Sequence, residues 1–214
     1  MNRLISKILI CAGVLLILIS GGLLAYSLLE DYQAGLRAHN LLEQVFREGW
    51  ELEELEESVT RGVSSVRAAT GLVNTEDEQY QDEDEEDQEN GGYVVIGILE
   101  IPALDILLPV LNRTTYALLD ISACRFAGSV DEKPKRLVIA GHNLRSHFGG
   151  ISSLSPGDEI SFTTPEGAKF YYSLIRTESV HMSNAAAVQE GDDWEITLLT
   201  CQRDRTMRTL ARFK

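Results

Sequence analysis

The sequence predicts a mainly β domain in the second half of the chain, preceded by an apolar helix. Three observations lead to this prediction. An uncharged apolar run occupies residues 8–29. A dense acidic segment separates the first half of the chain from the second. From Tyr93 onward, short apolar and β-branched runs alternate with turn residues, which is typical of a closed barrel or a sandwich.

The apolar run of residues 8–29 predicts a transmembrane helix. Its 22 residues extend about 33 Å as a helix, enough to cross a hydrocarbon core of roughly 30 Å. Arg3 and Lys7 precede the run and two acids follow it, which predicts a cytoplasmic N-terminus and an external remainder. A cleaved signal peptide is the alternative. We favour an uncleaved anchor in residues 1–31, because the run exceeds a signal core and no small-x-small cleavage site follows.

Residues 32–70 predict a juxtamembrane helix. Apolar residues recur there at three-, four- and seven-residue steps, while glutamates crowd the other faces. Two interpretations remain open. The helix is either a stalk that packs on a partner, or an amphipathic helix that lies along its own domain or the membrane. Its heptads are too irregular to predict a coiled coil.

Residues 71–92 predict an extended, solvated linker between the helix and the β domain. Ten acids and no base occur between Glu76 and Glu89, and such a segment cannot bury a core. Calcium binding is the alternative, but the spaced acid and glycine pattern of a calcium loop is missing. The net charge of −14 also argues against a nucleic-acid partner, because phosphate binding needs a basic face.

Residues 93–214 form the predicted β domain, with one short helix at 114–119. Turns are predicted at Pro-Gly-Asp 156–158 and Pro-Glu-Gly 165–167. The predicted strands are Tyr93 to Ile101, Ile106 to Leu111, Arg136 to Ala140, Glu159 to Thr163, Lys169 to Thr177, Glu195 to Thr200 and Thr209 to Phe213.

Two of these strands end in residues that carry chemistry. The strand before Cys201 ends in Thr-Cys, and a basic turn follows at once. Nearby positive charge favours a thiolate, which is the nucleophilic form of cysteine. A lone cysteine is more often a small buried hydrophobe, however. The strand ending at Ala140 runs into Gly-His-Asn, and His142 could supply the base or proton donor that such a nucleophile needs. An arginine such as Arg208 could stabilise an oxyanion.

These two stretches together resemble the sortases, the cysteine transpeptidases of Gram-positive cell surfaces. The resemblance rests on Ala-Gly-His-Asn at 140–143 and on the Thr-Leu-x-Thr-Cys pattern at 197–201. The segment 97–104 resembles the opening strand of the family, and 149–160 resembles its segment after the histidine. The resemblance covers roughly Tyr93 to Lys214. It implies an eight-stranded β-barrel.

The resemblance also implies roles for individual residues. Cys201 becomes the nucleophile, His142 the general acid and base, and Thr200 a residue that binds substrate backbone or oxyanion. The family arginine begins the last strand, which Arg208 fits, although the gap after the cysteine is shorter than in many sortases. Arg212 shares the strand face of Arg208 and is the alternative. Asn143 is a candidate for orienting the histidine.

The remaining cysteines and histidines carry no predicted chemistry. Cys124 is interpreted as a packing residue, and a disulfide with Cys201 would consume the proposed nucleophile. His147 matches no family position and is interpreted as a loop residue, and His181 is interpreted as a surface or packing residue. The four histidines have no metal-ligand spacing with the cysteines, so neither zinc nor another cofactor is predicted.

The implied function is a membrane-anchored sortase. It would cleave a Leu-Pro-x-Thr-Gly-like sorting signal of a surface protein and join that protein to an amine from peptidoglycan or a pilin. Two alternatives remain: a thiol hydrolase with the same site, and a sortase-like binding module without activity. The subclass stays open, because no Asp-Pro-aromatic lid motif occurs and the stretch 168–194 is too short for a long inserted helix.

Overall fold

The N-terminal half of the protein is one long helix. The computed structural model describes residues 2–47, 93–131 and 133–214, with side chains of the helix described from Ala12 onward. Helix α1 runs from Asn2 to Arg47 without interruption. The predicted anchor and the start of the predicted juxtamembrane helix are therefore continuous. The rest of that predicted helix, 48–70, and the predicted acidic linker, 71–92, lie outside the described residues.

The first part of α1 is exposed and apolar. It is long and apolar enough to cross a membrane, and none of its most apolar window is buried inside the structure. Leu16 and Ile17, for example, are 67% and 72% exposed. Transfer of such side chains from water to a hydrocarbon environment lowers their free energy. This part of α1 therefore fits a single-pass membrane anchor.

The second part of α1 packs along the β domain. Its buried residues are Ala34, Ala38, Leu41, Leu42 and Val45. Leu41 packs in one cluster with Leu111 and Cys124, and Leu42 and Val45 pack in another with Ile98. Up to Arg47, the helix thus lies along its own domain, which favours the second of the two interpretations left open above.

The β domain is a closed eight-stranded barrel in the order β1-β2-β3-β4-β7-β8-β6-β5, which confirms the expected fold. Short helix α2 (Tyr116–Leu119) lies between β2 and β3. The strands are β1 (Val95–Ile101), β2 (Ile106–Leu111), β3 (Ala123–Val130), β4 (Pro134–Ala140), β5 (Glu159–Thr163), β6 (Lys169–His181), β7 (Ile196–Cys201) and β8 (Met207–Phe213).

Strand β3 was missed by the sequence analysis. It contains small and polar residues and buries only its first two positions fully, so it lacks an apolar run. Its pairing with β4 shifts register twice, and Gly128 adopts a positive φ of 84° beside one of the shifts. A side chain at Gly128 would collide with the backbone of Arg136. The strand therefore exists because its neighbours pair with it, rather than through its own propensity.

Strand β6 is four residues longer than predicted. Its last residues alternate between half-buried and exposed, and they pair with the start of β8, with Val180 opposite Arg208 and His181 opposite Met207. The extension places the end of β6 on the side of β8 opposite to β7. Inside the barrel, a single apolar cluster fills the space. The Phe162 ring occupies the position where a side chain on Gly97 would stand, which explains the glycine in β1.

Candidate active site

The ends of β4 and β7 bring His142 and Cys201 to the same place. The two strands are parallel neighbours, with Ala140 paired to Leu199. The pairing continues one residue further, because Gly141 N donates to Leu199 O at 3.0 Å. His142 and Cys201 each follow that pair by two residues, so they leave adjacent strands that lie about 4.8 Å apart. The sequence alone could not establish this adjacency.

Arg208 lies directly across from Cys201 on the third strand of the site. Strands β7 and β8 are antiparallel, and their register pairs Cys201 with Arg208. The Arg208 Nη1 atom is 3.8 Å from Cys201 Sγ. The Cys201 side chain is exposed, so a substrate can reach the sulfur while the guanidinium remains in contact with it. An anion formed at this point would meet a positive charge at short range.

Arg212 lies at the other end of the β7–β8 pair, opposite Thr197. Its side chain is 1% exposed. Nη1 donates to Val188 O at 2.7 Å and to Thr197 Oγ1 at 2.9 Å, and Nη2 donates to Ala187 O at 2.6 Å. Its guanidinium also stacks on Trp194 at 4.7 Å. Burial lowers the pKa of Arg212. The two arginines that sequence reasoning left as alternatives thus occupy very different environments.

Asp120 is the acidic partner of His142, and the sequence analysis did not single it out. Its Oδ1 atom lies 2.9 Å from His142 Nε2. Asp120 directly follows helix α2, which Thr115 caps by accepting a hydrogen bond from Leu118 N. A carboxylate on one ring nitrogen orients an imidazole and determines which nitrogen carries the proton. The sequence contains only a weak signal for Asp120, because an acid after a four-residue helix has no distinctive spacing from the histidine.

The loop after His142 is tightly folded and touches helix α1. Phe148 N donates to His142 O at 3.0 Å, closing the loop on itself. A Cβ atom on Gly141 would lie 2.7 Å from Phe148 Cδ2, so the ring packs directly on the glycine. Ser146 N and Oγ both donate to Asp31 Oδ1 at 2.9 Å. A residue of the helix therefore holds the loop that begins at the histidine.

His147 occupies a position that sequence reasoning did not anticipate. It lies in the loop, as interpreted, but its side chain is fully buried. Its ring is parallel to that of His142, with centroids 6.3 Å apart. Within the described part of the chain, neither ring nitrogen has a hydrogen-bond partner. Burial lowers the pKa of His147 to about 4, with a smaller contribution from His142, so the ring is neutral at physiological pH.

Three further residues named in the sequence analysis, Thr200, Asn143 and Cys124, differ in their burial and contacts. Thr200 is buried and its hydroxyl donates to Gly141 O at 2.8 Å, which ties β7 to the residue before the histidine. Asn143 is exposed, with its amide oxygen beside Gly149. Cys124 is buried, and burial raises the pKa of its thiol to about 12. Cys124 and Cys201 are both free thiols.

The described residues contain no group of three or more histidine, cysteine or acidic side chains placed to hold a metal ion. The groups that meet at the site are a thiol, an imidazole, a guanidinium and a carboxylate. Such a set can perform covalent acyl transfer, with the thiol as nucleophile and the imidazole as proton carrier.

A sequence model of the sortase domain matches residues 99–213, more than half of the chain. The chain belongs to the sortase family. Among curated proteins, sortase A of Listeria monocytogenes is 28% identical over 122 residues, which cover 56% of this chain and 54% of that protein. The chain therefore spans about half the length of this curated relative.

Solved sortase structures share the fold of the barrel. Sortase C of Clostridium perfringens superimposes with a TM-score of 0.52 at 21% identity, over 82% of this chain and 96% of that one. A lid mutant of sortase A from Corynebacterium diphtheriae superimposes with a TM-score of 0.50 at 23% identity, over 57% of this chain and 70% of that one. At these identities the likeness concerns the fold alone.

Proposed function

We propose that the protein is a membrane-anchored cysteine transpeptidase. It cleaves a Leu-Pro-x-Thr-Gly-like sorting signal after the threonine and joins the threonine carbonyl to an amine of the cell wall or a pilin. One observation carries the proposal: the ends of β4, β7 and β8 bring His142, Cys201 and Arg208 together at an exposed edge of the barrel. Membership of the sortase family supports the same reaction.

The reaction begins with the Cys201 sulfur. Its thiolate attacks the carbonyl carbon of the scissile Thr–Gly bond, and the carbonyl oxygen becomes an oxyanion. The positive charge of Arg208, beside the sulfur, stabilises that intermediate. The C–N bond then breaks, His142 donates a proton to the leaving amine, and a thioester remains on the enzyme.

The second half of the reaction reverses these steps with a new amine. The acceptor nitrogen attacks the thioester carbonyl and loses a proton to His142, and the Cys201 thiolate leaves. The acceptor is an amine of a peptidoglycan stem or a pilin lysine, which the family resemblance implies. Whether an acceptor amine or water reaches the thioester decides between transfer and hydrolysis.

Two neighbouring residues position the catalytic groups. Asp120 accepts a hydrogen bond from His142 and so fixes the direction in which the other ring nitrogen points. Thr200 holds Gly141, the residue before the histidine, against β7. We assign both as positioning residues. The family resemblance also implies that Thr200 contacts the substrate backbone.

The first part of α1 supplies the membrane anchor of the proposal. Residues 8–29 span the bilayer, the N-terminus is cytoplasmic and the barrel is external. Arg3 and Lys7 before the span and the acids after it support this orientation. On the outer surface the site meets sorting-signal proteins and wall or pilin amines. The acidic net charge of the whole chain argues against nucleic acid as a partner.

The test is a ligation assay with the full chain in lipid nanodiscs. Pooled sorting-signal peptides and an amine acceptor are incubated with the protein, and products are identified by mass spectrometry. We expect a ligated product that disappears in Cys201→Ala and persists in Cys124→Ala, its matched control. Cleavage without ligation would identify a hydrolase. If neither ligation nor cleavage occurs and no thioester is trapped, the result would favour a sortase-like binding module without activity.

A further inference from the structure

We infer that the end of the barrel carrying His142 rests on the lipid headgroups, so that the site works at the bilayer surface. The inference rests on the proposed membrane anchor and goes beyond it, because an anchor alone leaves the height and orientation of the barrel undetermined. Four observations support it: two contacts with α1, the docking of that helix, and the charge of the loops beside the site.

The first contact lies at the end of the apolar run. Asp31 follows Leu29 by two residues, or about 3 Å along the helix axis. Its carboxylate accepts hydrogen bonds from Ser146 N and Oγ, and its backbone oxygen accepts a further one from Ser146 Oγ at 3.0 Å. Ser146 is four residues beyond His142. The histidine loop is therefore fixed at the level where the helix leaves the hydrocarbon.

The second contact limits how far His142 lies above the hydrocarbon core of the membrane. Arg37 Nη1 donates to Asp120 O at 3.4 Å, and Asp120 Oδ1 is the partner of His142. Arg37 lies eight residues beyond Leu29, about 12 Å along the axis, and helical side chains lean towards the N-terminus. The headgroup layer adds roughly 5–8 Å to each side of the hydrocarbon core. His142 therefore lies in or just above that layer.

The barrel cannot move freely away from this height, because the second part of α1 is packed into its surface. Leu41, Leu42 and Val45 are each at most 6% exposed, and they contact apolar residues of β1, β2 and β3. The helix that crosses the membrane is thus also a structural element of the domain. Its direction through the bilayer sets the orientation of the barrel.

The loops at this end also carry the charge that anionic lipids attract. Arg145 is exposed beside Ser146, and Arg203 and Arg205 are exposed in the turn between β7 and β8. Asp204 is the acid of that turn, and it accepts hydrogen bonds from Thr206. These loops thus have a local excess of positive charge, while Asp31 and Asp120 of the same end are bound to Ser146 and His142. This excess favours a negatively charged surface as the neighbour of the site.

Depth-dependent fluorescence quenching tests the inference without any catalysis. The full chain, with Cys11→Ala and Cys201→Ala, is labelled with an environment-sensitive fluorophore at Arg145→Cys or at Glu43→Cys. Glu43 is exposed and lies about 18 Å beyond Asp31 on the same helix. Both proteins are placed in vesicles of phosphatidylglycerol and phosphatidylcholine that contain a lipid with a quencher near its headgroup.

We expect quenching at position 145 to exceed quenching at position 43 by about threefold or more, since a headgroup quencher acts only near its own layer. Equal quenching at the two positions would overturn the inference. A label at Asn143→Cys repeats the measurement in case the first variant does not fold. The labelled variants lack Cys201, so the quenching measurement does not depend on catalysis. A failed ligation assay would therefore count against the proposed function without affecting the quenching result.

Discussion

The open end of the barrel and its buried regions contain the same three residue types in different states. The open-end set is Cys201, His142 and Arg208, and the buried set is Cys124, His147 and Arg212. In the first set, the residues lie at the ends of neighbouring strands and remain accessible to a substrate. In the second, each side chain is buried, Cys124 among apolar residues and Arg212 against backbone carbonyls. Residue type alone therefore does not identify a functional group in this protein.

Burial explains the difference between the two sets. It raises the pKa of the Cys124 thiol to about 12 and lowers that of His147 to about 4, because both charged forms lose their hydration. The buried charge of Arg212 is stabilised by hydrogen bonds to two carbonyls and a hydroxyl and by the Glu178 carboxylate, 3.8 Å from its Nε atom. A reactive site needs the opposite condition, in which charged forms are accessible and partnered. Four predictions test this contrast, beginning with the largest expected effect.

The two thiols should differ most. At pH 8, a thiol with a pKa of about 12 is ionised in only about one molecule in 10⁴, and burial excludes the reagent as well. We expect iodoacetamide to alkylate Cys201 more than about 10³-fold faster than Cys124 in the folded protein. Peptide mapping by mass spectrometry measures both rates, and unfolding in urea should abolish the difference. Comparable rates before unfolding would contradict the assignment of Cys124 as buried.

The two arginines should separate activity from stability. Arg212→Met leaves three buried acceptors without a donor, and we expect the free energy of unfolding to fall by about 3 kcal/mol. Arg208→Met should change stability by less than about 0.5 kcal/mol while lowering the ligation rate by about 10²–10³-fold. Urea unfolding and the ligation assay on both variants measure these effects. A folded, stable Arg212→Met protein with no activity would reverse the two roles.

The two histidines should differ in how they couple stability to pH. The folded pKa of His147 is about 4, below its ordinary value of 6.5, so the unfolded chain binds more protons between these values. Stability is fully present above pH 6.5 and falls as the pH drops towards 4, by roughly 3 kcal/mol in total.

This loss should be largely absent in His147→Phe and retained in His142→Phe. Urea unfolding of the three proteins at pH 7 and pH 4.5 provides the comparison. A His147→Phe variant as acid-sensitive as the unchanged protein would show that the His147 imidazole is not buried in its neutral form.

The smallest effect is expected at Thr200. Thr200→Val removes the hydrogen bond to Gly141 O without changing the side-chain shape, and we expect a loss of about 1 kcal/mol. Thr177→Val, on the exposed face of β6, is the matched control and should be nearly neutral. Urea unfolding measures both. A Thr200→Val protein as stable as the control would imply that another group holds β4 against β7 at this point.

Much of the fold was predictable because the relevant signals are local. The apolar run 8–29, the turns at 156–158 and 165–167, and seven of the eight strands each show their character within a few residues. Strand β3 was not predictable, since its conformation depends on pairing with β2 and β4 rather than on its own apolar content. The end of β6 was missed for the same reason.

By itself, the sequence determined the candidate membrane span, the strand-rich domain and the family, because hydrophobic runs and a Thr-Leu-x-Thr-Cys pattern are properties of contiguous residues. Only the tertiary structure decided which arginine faces Cys201, which acid meets His142, and that α1 holds the histidine loop. These contacts join residues that are up to 115 positions apart. Barrel closure and helix docking bring them together, and no local pattern records such distances.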